Sequence, residues 1–374
     1  MGHQAAVETL GVKSQGAKLF GDLYSGRRIL LTGHTGFKGS WLALWLSELG
    51  AELAGVALAP DTSPNHWDLL GLDIEDHRLD IRDERALASL VAGTQPEIVF
   101  HLAAQPLVRR SYREPLATWS TNVMGTANLL EACRQTKSVR AIVVVTSDKC
   151  YENQEWSRGY LETDRLGGHD PYSASKAAAE FVAGSYRDAF FHGPDAPLLA
   201  TARAGNVVGG GDWAEDRLIP DLVRAIAART TLEIRSPLAT RPWQHVLESL
   251  SGYLLLGQKL IEGRREYADG WNFGPGPEAN CTVAAVLARL GAHWPGLAWQ
   301  TTGAPQPHEA NLLYLDSAKA HAQLAWTPVW TLDEALTATA DWYRAYFSSG
   351  RIESKTQLEA FISKARANGL EWTA

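Results

Sequence analysis

One short turn constrains this chain more than any other feature. Gly33-His34-Thr35-Gly36-Phe37-Lys38-Gly39 directly follows the apolar run Ile29-Leu30-Leu31. After it, Leu42, Trp45, Leu46 and Leu49 recur at the spacing of one face of an amphipathic helix. A glycine turn between a strand and a helix seats a pyrophosphate. The helix N-terminus presents unbonded N–H groups, and glycines let the backbone close on the ligand. The spacing is G-x-x-G-x-x-G, not the G-x-G-x-x-G of ordinary dehydrogenases. A tight turn without a ligand is the competing reading, and the position between strand and helix argues against it.

The rest of the chain alternates in the same way. Residues 28–32, 53–58, 98–102, 141–146 and 198–203 read as strands. Residues 122–134, a stretch opened by Pro171, and 218–228 read as helices. The run 141–146 is apolar almost throughout, as in a central parallel strand. This βαβ order predicts an α/β fold: a doubly wound parallel sheet (Rossmann) with a smaller C-terminal substrate-binding lobe. We expect a dinucleotide domain over 26–205, with returning segments near 240–275, and a lobe over 206–350. Residues 1–25 read as an extension whose Phe20 and Tyr24 pack on the body, and 351–374 as a polar, helix-prone tail.

Bulk properties exclude several classes. At 374 residues the chain can bury a large core, and a net charge of −7 leaves no basic footprint for nucleic acid. Three scattered cysteines form neither a disulfide framework nor a C-x-x-C metal pattern, so no metal is expected and a reducing compartment fits. No apolar stretch approaches the roughly 20 residues of a membrane span. The first residues lack the n- and h-regions of a signal peptide. A cytoplasmic protein with no membrane partner is expected.

A second constellation lies further on. Tyr172 and Lys176 are four residues apart on one helical face, preceded by Ser147 at a strand end. A nearby ammonium can lower a phenol's pKa and make it a usable base. Together with the glycine turn, the pair predicts a nicotinamide-dependent enzyme acting on a carbinol. Asp80-Ile81 suits an adenine amine, or Asp80 is a helix N-cap. Leu102-Ala103-Ala104-Gln105 supplies small residues for close approach to the nicotinamide ribose. Thr121 and Thr146 complete the expected cofactor set with Gly33, Thr35, Gly36, Phe37 and Lys38. The end of the second strand reads Ala59-Pro60-Asp61, where a carboxylate selecting NAD is usual. Asp61 takes that role or is a loop charge, and Lys38 and Arg82 are candidates for a 2′-phosphate. NAD is the expected cofactor.

Asp148-Lys149 places an acid and a base beside Ser147. Simple reductases and epimerases have no need of such a pair. A 4,6-dehydratase must remove a C5 proton and expel a C6 hydroxyl.

The stretches G-H-T-G-F-K-G-S-W at 33–41, H-L-A-A-Q-P-L-V-R at 101–109, T-S-D-K-C-Y at 146–151, P-Y-S-A-S-K at 171–176, R-A-G-N-V-V-G-G-G-D-W at 203–213, R-L-I-P at 217–220 and R-P-W-Q-H-V at 241–246 carry a likeness. In collinear order they resemble the CDP-D-glucose 4,6-dehydratases, which are extended short-chain dehydrogenase/reductases. The T-S-D-K stretch discriminates, since the dTDP-glucose and GDP-mannose dehydratases carry Asp-Glu there. Ala59 departs from the family, where an acid is expected. The resemblance implies Ser147, Tyr172 and Lys176 as the oxidation triad. It implies Asp148 as the acid for the C6 hydroxyl, and Lys149 as the C5 base or an electrostatic group. It also implies that Arg241 clamps the diphosphate of CDP-D-glucose and that Asn206, Arg217 and Leu218 contact the nucleotide. His308 and Glu309 read equally as late contacts or structural residues. A homodimer paired through helices flanking the sheet is expected. A non-catalytic NAD-binding protein of this fold should lack part of the triad. Another sugar-nucleotide dehydratase or epimerase is the nearer alternative.

Overall fold

The computed structural model describes residues 18–302 and 312–374. Seven strands form one parallel sheet: β1 (Arg28–Thr32), β2 (Glu52–Ala57), β3 (Glu75–Arg78), β4 (Ile98–His101), β5 (Ala141–Val145), β6 (Leu198–Ala204) and β7 (Gly270–Phe273). Their order is β7-β6-β5-β4-β1-β2-β3. The order reverses between β1 and β4, so a crevice opens at their carboxyl ends. β4, β5 and β6 are buried along their whole length. Residues 270–273 complete the sheet beside β6.

Helices cover both faces. On one side lie α2 (Glu84–Thr94), α4 (Gly125–Gln135) and α5 (Pro171–Ala189). On the other lies α1 (Phe37–Glu48), with the helices Val246–Ile261 and Ser354–Ala367. Pro171 occupies the first turn of α5, and Asp170 caps it by accepting from Ser173 N. Between β4 and α4 stands α3 (Val108–Arg113). The helix expected over 122–134 is interrupted at its start, because Ser120–Met124 is a π-turn that runs into α4. A Cβ on Gly125, where the two meet, would lie 2.5 Å from Ile81 Cδ1, so that side chain would have to turn aside.

The amphipathic reading of α1 is corrected. Every residue from Gly39 to Leu46 is buried, so the helix is covered all round. After α6 (Leu218–Ala228), α7 (Val246–Ile261) packs beside α1. α8 (Leu332–Ser349) leads to α9 (Ser354–Ala367), which covers the remaining face together with the segment around Trp372. Phe20 stacks on Trp372 with ring centroids 5.1 Å apart, and Trp45 lies 5.7 Å from Trp372 and 5.8 Å from Phe361. Tyr24 donates to Leu254 O at 2.5 Å. Phe20 and Tyr24 therefore pack as expected, and the tail has a role the sequence left open. Each such aromatic contributes on the order of 1.5–3 kcal/mol through burial.

Past β6 the chain builds the lobe around α6 from short strands. Leu232–Ile234 pairs with Trp299–Thr301, and Thr240–Pro242 pairs with Asn280–Thr282. No helix among the described residues is long and apolar enough to cross a membrane.

Candidate active site

A cleft of about 1490 Å³ runs from the end of β2, over the glycine turn, to the lobe. That exceeds the 300–1,000 Å³ usual for one small ligand, so two can share it. Gly33 has φ +77°, and a Cβ there would lie 2.6 Å from Ala103 N. A Cβ on Gly39 would lie 2.0 Å from Gly33 O. Gly36 leads into α1 with no side-chain cap, leaving the first N–H groups open to the cleft. A cradle that side chains would fill, at the topological switch point, fits a dinucleotide pyrophosphate.

Most of the expected cofactor residues surround this cradle. Thr35, Gly36, Phe37, Lys38, Asp61, Asp80, Ile81, Leu102, Ala103, Ala104, Thr121 and Thr146 all line the cleft. Gln105 does not. It is buried with its side chain turned to Leu107 and Thr118, donating to Thr118 Oγ1 at 2.9 Å and accepting from Leu107 N at 2.6 Å. Pro106 lines the cleft instead.

Asp80 is not a helix N-cap. Asp83 caps α2 by accepting from Ala86 N, and Asp80 accepts from Arg82 N and from the Arg82 guanidinium. Those Arg82 bonds hold the Asp80 carboxyl below the usual carboxylate range. Arg82 is thereby engaged, and Asp61 pairs with Arg110 at 2.8 Å. Lys38 is not at the ribose end. Its Nζ donates to Tyr253 OH on α7 at 3.3 Å, close enough to Asp148 to feel its charge. Burial pulls this amine down to about 7, against the opposing pull of Asp148.

The catalytic candidates meet where β5 ends. Ser147 caps the short turn Asp148–Cys150, accepting from Lys149 N at 3.2 Å and donating to Asp148 Oδ1 at 3.0 Å. Tyr172 is buried at the start of α5, close enough to Ser147 for that hydroxyl to act on its phenol. Lys149 and Lys176 line the same cleft. Burial pushes the Tyr172 phenol up to about 12, while Ser147 and the Arg217 guanidinium pull it down. Lys176, expected to lower this phenol, donates from its Nζ to Val145 O at 3.3 Å. Burial lowers Lys176 itself to about 8.

On the lobe side Asn206, Leu218, Arg217 and Arg241 line the cleft. Arg217 pairs with Asp212 at 3.0 Å, and Arg241 is buried on the strand Thr240–Pro242. His308 and Glu309 lie outside the described residues. Arg109 and Arg235 both pair with Asp216 across the cleft mouth, at 2.8 and 3.4 Å. No group of metal-ligating side chains occurs among the described residues.

Two side chains escaped the sequence reading. Asn122, in the π-turn, accepts from Gln105 N at 2.8 Å and donates to Ser175 Oγ at 2.9 Å, tying the loop after β4 to the catalytic helix. Its one signal was a polar residue early in an apolar helical pattern. Tyr253 sits among buried apolar residues of α7, where nothing in the sequence distinguished it from core.

Comparison with known proteins gives a consistent result. The family model described as GDP-mannose 4,6 dehydratase matches residues 30–271. A CDP-glucose 4,6-dehydratase of Salmonella typhimurium is 48% identical over 91% of this chain and 98% of that protein. A dTDP-glucose 4,6-dehydratase of Streptomyces antibioticus is 30% identical over 84% of this chain and 92% of its own length. Among solved structures, MoeE5 in complex with UDP-glucose and NAD superposes with a TM-score of 0.71 at 26% identity, covering 86% of this chain and 99% of MoeE5.

Proposed function

This chain belongs to the NAD-dependent sugar-nucleotide epimerase/dehydratase family, as a 4,6-dehydratase, and from that premise we propose that it converts CDP-D-glucose to CDP-4-keto-6-deoxy-D-glucose and water. The observation that carries this reading is the meeting of Ser147, Asp148, Lys149, Tyr172 and Lys176 in one cleft with the glycine cradle. The cofactor is NAD, which when bound would supply the reversible hydride acceptor that oxidation at C4 and reduction at C6 require.

Gly33, Gly36 and the open N-terminus of α1 would hold its pyrophosphate, with Asp80-Ile81 toward the adenine and Leu102 to Ala104 toward the nicotinamide ribose. Tyr172 takes the O4 proton, with Ser147 orienting the hydroxyl. A phenol raised to about 12 is a poor base at rest, and Arg217 is the resident cation that favours its ionised form. Once C4 is a ketone the C5 proton is acidic. Lys149 removes it or stabilises the developing enolate, Asp148 protonates the departing C6 hydroxyl, and C5 is reprotonated once C6 is reduced. Arg241 binds the diphosphate, for which a planar guanidinium is suited. Asn206, Arg217 and Leu218 complete the nucleotide contacts.

The domain division belongs to this reading: a cofactor domain over 26–205 with returning segments near 240–275, and a sugar-nucleotide lobe over 206–350. So do a cytoplasmic location and a homodimer. Leu116, Met124 and Phe181 are 82%, 56% and 62% exposed on helices beside the sheet, an apolar surface that a second copy would cover.

Incubation with CDP-, UDP-, GDP- and dTDP-glucose tests the reading. CDP-glucose should yield a base-labile 4-keto-6-deoxy product fastest. A faster reaction with another nucleotide moves the substrate, and a 4-epimer without keto product rejects dehydration.

A further inference from the structure

We infer that Glu180 is a positioning residue for this active site: paired with Arg203, it locks the two catalytic segments together and sets a carboxylate one helical turn from Lys176. In its kinetic part the inference rests on the dehydratase reading.

The geometry is specific. Glu180 lies one helical turn beyond Lys176 on α5 and is buried. Its Oε1 accepts from Thr146 Oγ1 at 2.5 Å and Arg203 Nε at 2.9 Å, and its Oε2 from Thr201 Oγ1 at 2.7 Å and Arg203 Nη2 at 2.9 Å. The carboxylate is bidentate to arginine and saturated. Arg203 Nη1 donates to Tyr151 OH at 2.7 Å, and Tyr151 OH to Asn272 Oδ1 at 2.8 Å.

Thr146 and Tyr151 bracket the segment that holds Ser147, Asp148 and Lys149. One ion pair therefore anchors that segment at both ends, Thr146 through Glu180 and Tyr151 through Arg203. The same carboxylate rides on the helix of Tyr172 and Lys176. A buried ion pair loses so much hydration that apolar residues of equal volume often serve stability as well. Its return here is register between a strand end and a helix.

The charge acts on Lys176 as well. The titratable and charged groups coupled to that ammonium are Glu180 on α5, Cys150 after β5, His101 at the end of β4 and Lys38 at the start of α1. Glu180 is the carboxylate among them, and it raises Lys176 against the effect of burial. Without it the Lys176 midpoint falls, and the amine is neutral over more of the working pH range.

The test reads Lys176 directly and through turnover. Competitive acetylation with acetic anhydride, followed by peptide mass spectrometry, titrates Lys176 without substrate. The pH dependence of kcat and KM is measured with CDP-D-glucose. Glu180→Gln should lower the Lys176 midpoint by roughly one pH unit or more. The alkaline limb of kcat should move down with it, with KM within about twofold. Glu180→Asp keeps the charge and should hold the midpoint while kcat falls from lost reach. Glu180→Gln leaves Arg203 buried and unpaired, so Glu180→Gln/Arg203→Met is made alongside. It should fold and move the midpoint the same way by less. An unmoved midpoint in either folded variant overturns the inference, as does a raised KM with unchanged kcat. Wild-type protein that titrates as expected but leaves CDP-D-glucose untouched rejects the substrate reading alone.

Discussion

Gly39→Ala isolates the cofactor cradle from the rest of the active site. The added Cβ would stand 2.0 Å from Gly33 O and 2.7 Å from Gly33 C. Both are backbone atoms, so no side chain can swing aside, and reaching an ordinary 3.4 Å contact moves the turn by about 1.4 Å. Overpacking of this kind costs about 1–3 kcal/mol. For a chain this long, 3 kcal/mol lowers Tm by about 4 °C. The larger effect falls on the ligand. A displaced turn misaligns the N–H groups facing the pyrophosphate, and losing two charge-assisted bonds of about 1.5 kcal/mol each weakens NAD about 100-fold. Gly36→Ala is the internal control. Gly36 has φ −76° and its Cβ would lie 3.3 Å from Gly33 O, so the fold should be nearly unchanged. Thermal melting and calorimetric NAD titration on both variants measure the two effects separately. If Gly39→Ala melts and binds NAD like wild type, the turn is not the pyrophosphate seat.

Tyr172→Phe should lower turnover roughly 10²–10⁴-fold while NAD titrates as in wild type, and near-normal turnover would remove Tyr172 from the base role. Lys149→Ala and Asp148→Asn should each stall after oxidation at C4, seen as reduced-cofactor absorbance that persists. Absence of that signal in both would put the pair in the first step. Arg241→Ala should raise KM for the sugar nucleotide far more than it changes NAD affinity, and the reverse pattern would place Arg241 on the cofactor. Stability should fall with acid. His66, His101 and His245 are each held near 3 by burial, below the unfolded value near 6.5, so the unfolded chain binds more protons as pH drops through that window. Glu248, raised by burial to about 8, works in the opposite direction, leaving a net loss of a few kcal/mol between pH 6.5 and 5 that melting scans at fixed ionic strength would register.

The parallel sheet was legible because buried strands read as short apolar runs and each was followed by a helical period. That Ser147, Tyr172 and Lys176 share a cleft with the glycine turn was legible because a strand end, a helix face and a strand-to-helix turn each leave a fixed spacing along the chain. What escaped depends on partners far away in sequence. The Leu42–Leu49 stripe of α1 gave no sign that Trp372 and Phe361 close its other side. Gln105 and Ala104 are neighbours in the chain, yet Asn122 and Thr118 draw the Gln105 backbone and side chain out of the cleft. Lys38 sits inside the cofactor turn, but its long side chain reaches Tyr253 on α7, a contact no local pattern encodes.

The stack of Phe20 on Trp372 has a consequence for how the protein is made. The two rings come from opposite ends of the described chain and together cover the back of the cofactor helix. A ribosome releases Phe20 long before Trp372. Until Phe361 and Trp372 emerge, the nascent helix over 37–48 therefore leaves Trp45 without the rings that cover it.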